Sequence, residues 1–219
     1  MEKRILIPEQ RNYAQALSQA LEIARVKLSI SDIRELCRRS GAEYSETAIE
    51  KVAAIAYAGK EYHVALPDAD VVCVESGEKL LPRERLLVLH YLLTAKGMPL
   101  ARRSITLKEI PDGLSYFPTF TKRALKPLID NFGKEPGRII EAAGKLGGRK
   151  SEYGDASATI DVFPYVPLTF VLWRGDDEFQ AAASVLFDAS ITDCLSVEDI
   201  IVLSEIMAWK LVRGLEQRR

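Results

Sequence analysis

The chain has 219 residues and a mass of 24.4 kDa, with 47% hydrophobic and 28% charged residues. That is enough chain for one sizeable core or two small ones, in the composition of an ordinary globular protein. The 30 basic and 31 acidic residues nearly cancel to a net charge of -1, which removes the electrostatic reason to expect nucleic acid or an anionic membrane as partner.

In chain order, the N-terminus carries a basic pair and only three apolar residues before Pro8, too few for a secretory leader. No uninterrupted apolar run is long enough to cross a bilayer, and the expected location is cytoplasmic. Residues 9–28 predict a helix, because Ala14, Leu17, Leu21, Ala24 and Leu28 step by three and four along one face. A second, short helix follows in "SDIRELCRRSG", with Ser31 as the expected N-cap, Gly41 just past the end and Cys37 on the packed side. From Ile49 the pattern turns to strands. "KVAAIAYAGKEYHVAL" reads as a hairpin about Gly59, with Tyr62, Val64 and Leu66 on one face and His63 and Ala65 on the other. Residues 71–74 predict another short strand that includes Cys73.

"LPRERLLVLHYLLTAKG" is a helix opened by Pro82 and followed by Gly97, apolar nearly all round and therefore expected at the centre of the core, with His90 a packed, hydrogen-bonded imidazole. "SITLKEI" alternates and predicts a strand, followed by a turn at Pro111-Asp112-Gly113. Residues 115–132 read as a helix that Pro118 and Pro127 must interrupt or kink, and Glu135-Pro136-Gly137 opens a further short helix. "GKLGGRKSEYGD" reads as a flexible connector. Residues 159–163 alternate as a strand. "PLTFVLW" is apolar on both sides, hence a central strand, with 183–187 as its partner and both Trp173 and Phe187 covered. Ser196, with Asp199 three residues on, caps a long final helix whose inner stripe is Ile200, Leu203, Met207 and Leu211. Clustered rather than alternating strands and helices predict an α+β fold: a largely antiparallel sheet packed on several helices, in one domain over 1–219, with a helical segment at about 9–41 and a mixed body at about 49–219.

The chemistry-bearing residues are sparse. Cys37, Cys73 and Cys194 are far apart and odd in number, no CxxC pair exists, and His63 and His90 are isolated. The expectation is reduced cysteines, at least two of them packed, and no metal ligands. A Cys73–His63 pair across neighbouring strands is open to the strand pattern, as is any pair of strand residues, and a working dyad is not expected. Neither a phosphate-binding glycine loop nor GxSxG occurs. Two stretches stand out as ligand-binding candidates. One is the loop after the central strand, with Trp173, Arg174, Asp176, Asp177 and Glu178 set to meet a cation or basic partner, the plain alternative being a turn whose charges guard a sheet edge. The other is "LSYFPTFTKR", where Tyr116, Phe120 and Arg123 offer rings and a cation to a flat carboxylated ligand, though such rings at a helix start also suit a core.

The combination of "ITLKEIPDGLSYFPTFTKRALKPLIDNFG" with "FPYVPLTFVLWRGDDEFQAAASVLFDASITDCLSVEDIIVL" resembles a family known only as domain of unknown function 3786, found mainly in anaerobic bacteria and archaea. The likeness runs from about Val52, and "LWRGDDEF…VLFD" is its most specific part. Some relatives carry an added iron–sulfur segment and occur near corrinoid-dependent methyl-transfer systems; this chain has no such cysteine cluster, and it has Gln180 where relatives have proline. The resemblance implies no established activity and no identified cofactor. It points to a binding module for a small ligand, a tetrapyrrole among them, or one that docks to a redox or methyl-transfer partner. The alternative is a divalent-metal-assisted hydrolase or transferase working through Asp176, Asp177 and Glu178.

Overall fold

The computed structural model describes residues 8–47 and 50–216. Residues 1–7, read above for a leader, and Ile49, where the strand pattern was expected to begin, lie outside them. Helix α1 (Pro8–Ser29) carries the expected stripe, but only its second half docks: Ala24 and Leu28 are buried while Ala14 is exposed. Helix α2 (Ile33–Ser40) is capped by Asp32 rather than Ser31. Asp32 sits in extended backbone directly before the first helical residue, so its carboxylate accepts the N–H groups of Arg34 (3.0 Å) and Glu35 (3.3 Å). The Ser31 hydroxyl instead donates to the Lys27 carbonyl of α1.

The fold class is α+β, and every strand pairing is antiparallel, but the strands form two sheets instead of one. The first holds β1 (Glu43–Glu46), β2 (Lys51–Tyr57), β3 (Lys60–Leu66) and β4 (Asp70–Cys73), in that order. The second comprises β5 (Ser104–Ile105), β6 (Arg149–Ser151), β7 (Ala156–Phe163), β8 (Val166–Trp173) and β9 (Ala182–Asp188), in the order β5-β9-β8-β7-β6. The apolar strand β8 takes the middle, as its two-sided hydrophobicity demands. It pairs with β9 from Leu168↔Phe187 to Trp173↔Ala182. Phe187 is buried, but Trp173 is 41% exposed against the expectation. Its ring lies at the strand end against Gly154 and opposite the small Ala182, so nothing tall covers its outer face.

Between residues 104 and 109 only Ser104–Ile105 is strand; Leu107–Glu109 forms a 3-10 turn. Thr-x-x-Glu explains the change, because the Glu109 carboxylate accepts the Thr106 N–H (2.7 Å) and closes a capping box. Helices α4 (Gly113–Phe120) and α5 (Lys126–Phe132) are separated by a π turn over Thr121–Leu125, the interruption expected of Pro118 and Pro127. The short α6 (Arg138–Gly144) follows.

The connector after α6 is not loose. It supplies β6 and presses on the β2–β3 turn so closely that a Cβ on Gly59 would lie 2.5 Å from the Leu146 carbonyl oxygen. Gly59 (φ +79) and Gly147 (φ +71) allow two backbones to meet there, and the Ala58 N–H donates to the Val162 carbonyl of β7 (2.9 Å), joining the sheets.

Two helices run along this junction in opposite directions: α3 (Pro82–Thr94) and α7 (Val197–Glu216), the latter capped by the Ser196 hydroxyl on the Asp199 N–H. Two ion pairs and a histidine–carboxylate hydrogen bond cross their seam. Glu84 meets Lys210 at 2.7 Å, Arg83 meets Glu205 at 2.8 Å, and His90 meets Asp199 at 2.9 Å. Ile200, Leu203, Met207 and Leu211 are buried as expected. Among the described residues no helix is long and apolar enough to cross a membrane.

Candidate functional site

The acidic loop after β8 is folded on itself. Asp176 Oδ1 accepts the N–H groups of Glu178 (2.9 Å) and Phe179 (2.7 Å), and these two bonds hold its carboxyl below the ordinary 3.8. The Arg174 N–H donates to Asp155 Oδ2 at 2.7 Å. Arg174 and Asp176 thus share an open cleft of about 460 Å³ with Asp155, a residue the sequence did not single out. Asp177 and Glu178 are exposed and do not line it, and Trp173 stands beside the loop with part of its ring in solvent. Among the described residues no three His, Cys, Asp or Glu side chains are grouped to hold a metal ion.

The aromatic-basic stretch is dispersed. Phe120 is core, packed on Phe187 with ring centroids 6.4 Å apart. Tyr116 donates its hydroxyl to Glu198 of α7 (2.9 Å), and Arg123 reaches Glu205 at 3.9 Å. Alternation on a helix cannot distinguish a ring that lines a pocket from one that fills the interior, and α7 supplies partners for the polar groups. His90 is the hydrogen-bonded imidazole the apolar belt implied: its Nδ1 meets both oxygens of Asp199 (2.9 and 3.0 Å), which the Ser196 hydroxyl also reaches.

A larger cavity, about 620 Å³, opens where the β2–β3 hairpin, the turn after β4 and the α3–α7 seam converge. Its floor is a buried polar group. Glu84, 8% exposed, accepts both the Lys210 ammonium (2.7 Å) and the Tyr57 hydroxyl (3.0 Å). Burial first, and then the Glu84 charge, raises the Tyr57 phenol well above its ordinary value, so that it stays a donor. A buried carboxylate needs such partners, since one left unpaired costs several kcal/mol. The mouth carries Lys60 and Lys79, which pair with Glu75 and Asp70.

Two wall residues of this cavity face each other across β3 and β4 in register, Tyr62 and Cys73. Tyr62 is 7% exposed, and its hydroxyl, open to the cavity rather than sealed from solvent, has no hydrogen-bond partner among the described residues. Burial, then the neighbouring Cys73 and glutamates, push its phenol up to about 12. The Cys73–His63 pair does not form. His63 sits opposite Val72 on the other face of β3, because one residue of offset turns a strand side chain away. The sulfur instead receives the Ser76 hydroxyl and the N–H groups of Ser76 and Glu75, which lower the thiol from its ordinary 9.0. Cys37 and Cys194 have no such donors, and burial pushes both up to about 11. Reading the sequence one element at a time missed this cavity, whose walls are separated along the chain by more than a hundred positions. The one local signal was Cys73 followed by Ser76-Gly77, a turn able to bring N–H groups back to the sulfur.

The family described as "Domain of unknown function (DUF3786)" matches residues 32–209. No curated protein and no solved structure matches the chain.

Proposed function

The chain belongs to that DUF3786 family, whose description carries no activity, and from the geometry of the inter-sheet cavity we propose that it is a binding module for a small carboxylated ligand. The observation that carries this reading is Tyr62, a nine-tenths buried residue on the cavity wall whose hydroxyl opens into the cavity with no partner among the described residues. A hydroxyl held on the wall and open to the cavity offers a ligand acceptor one hydrogen bond, worth about 0.5–1.5 kcal/mol net. Lys60 and Lys79 at the mouth supply the charge. Their side chains are 48% and 68% exposed in their present pairs, and such pairs are worth at most about 1 kcal/mol, so a ligand carboxylate displaces their partners cheaply.

A tetrapyrrole or corrinoid requires a flat slot. Tyr116 and Phe120, the rings expected to form one, point to a helix partner and to the core, so we choose a smaller ligand. The docking of a redox or methyl-transfer partner rests on the family resemblance alone. The metal-assisted alternative lacks convergent carboxylates, because Asp176 spends an oxygen on its own loop while Asp177 and Glu178 face solvent.

The test is mass spectrometry of small molecules that the folded protein retains from cell extract and releases on denaturation. The reading expects an enriched carboxylated species with the natural chain, its loss in Leu80→Trp, which fills the cavity, and its weakening in Tyr62→Phe. Indistinguishable profiles for the natural chain and Leu80→Trp would overturn it.

A further inference from the structure

We infer that Cys73 is a reactive thiol which forms a mixed disulfide with a small disulfide entering the inter-sheet cavity. This rests on the same cavity as the binding reading and adds covalent chemistry to it. The built feature is the turn after β4. Its ends are clamped, because the Cys73 N–H donates to the Glu78 carbonyl (2.9 Å) and the Gly77 N–H to the Cys73 carbonyl (2.9 Å). Gly77 takes φ +70, where a residue with a Cβ is strained. The chain between is thereby curled so that the N–H groups of Glu75 and Ser76, with the Ser76 hydroxyl, reach one sulfur. Donors fixed on a sulfur favour the thiolate, the form that attacks.

The second, independent observation is Tyr62. Directly across the strand pair, this nine-tenths buried residue lines the same space, and its hydroxyl, with no partner among the described residues, is ready to donate to whatever the sulfur engages. The charged surroundings are Lys60 beside Tyr62 on β3, Glu75 and Glu78 in the turn, Lys79 after it, and the Glu84–Lys210 pair from the two helices. Cys73 is itself 3% exposed, so a reagent reaches its sulfur by way of the cavity.

In the step, the Cys73 thiolate attacks one sulfur of a small disulfide. The new Sγ–S bond forms as the old S–S bond breaks, and the other half leaves as a thiolate that takes a proton from water. The oxidation level passes from the small disulfide to the protein, and no other oxidant enters. Neither Cys37 nor Cys194 lines this cavity and both are buried, so the product is a mixed disulfide with the small molecule rather than a bridge within the chain.

The experiment maps adducts on the full, reduced and desalted chain. Oxidised glutathione, which carries carboxylates, is compared with neutral 2-hydroxyethyl disulfide and with iodoacetamide, a probe of the thiol alone. The inference expects Cys73 in the folded chain to react with all three at least tenfold faster than Cys37 or Cys194, and faster than the same cysteine in urea. Ser76→Ala should slow it several-fold while Ser76→Thr retains the rate. Cys73 reacting no faster than the two core cysteines, or no faster folded than unfolded, overturns the inference. Fast reaction with iodoacetamide and no preference for glutathione over the neutral disulfide supports the thiol and counts against the carboxylated ligand, so the two readings fail separately.

Discussion

Two short acidic turns in this molecule use the same device and end differently. In the turn after β8, the Asp176 carboxylate collects the N–H groups of Glu178 and Phe179; in the turn after β4, the Cys73 sulfur collects those of Glu75 and Ser76. Both acceptors are held below their ordinary pKa by donors of their own turn, Asp176 by backbone N–H groups and Cys73 first by the Ser76 hydroxyl and then by backbone N–H groups. The first turn faces water, so its carboxylate does no more than tie its own loop. The second closes over a cavity with a buried polar floor and an unpartnered phenol, where the same donors prepare a nucleophile. The local motif is shared, and the neighbouring elements decide whether it does chemistry.

The largest effect should come from breaking that floor. Lys210→Met strips Glu84 of its cation in a buried setting and should cost about 3 kcal/mol in urea unfolding, with Glu84→Leu in the same chain restoring much of the loss. Equal stability of Lys210→Met and the natural chain would remove the distinction between the two turns.

Next comes Asp188, a third carboxylate that gathers donors, here the N–H groups of Ala101 (2.8 Å), Arg102 (2.7 Å) and Ser190 (3.0 Å). Partial burial acts to raise its carboxyl, but these bonds and the Ser190 hydroxyl outweigh it and leave it below the ordinary 3.8. A carboxyl depressed in the folded state adds stability above its unfolded value, and that stability drains as the pH falls through the folded value. Asp188→Asn should therefore cost about 1–2 kcal/mol at pH 7. Between pH 5 and pH 3 its stability should fall less steeply than that of the natural chain, as read by urea midpoints. A parallel fall in both would contradict it. The smallest effect is expected at the exposed turn, where Asp176→Asn should leave the urea midpoint unchanged and Cys73 labelling untouched.

Much of the scaffold was legible. The buried stripe of α7, the Gly59 hairpin and the two-sided apolarity of β8 each follow from local periodicity, and local periodicity survives folding. The division into two sheets was not, since local alternation does not say which strands pair, and the two sheets meet where Gly59 approaches the Leu146–Gly147 segment, which a linear reading took for a flexible connector. The site was less legible still. Arg174 and Asp176 do meet in one cleft, but Asp155 joins them from another strand connection, while Phe120 went to the core because aromatic spacing carries no direction. Tyr62, Cys73 and Lys210 come together only through tertiary packing, and nothing at any one of these positions announces the others.

The central claim is tested most directly by the pH dependence of Cys73 carboxymethylation in the folded chain, with Cys37 and Cys194 as internal references. The account predicts a midpoint for Cys73 below 9.0, with the other two near 11. A Cys73 midpoint at or above 9.0 would contradict it.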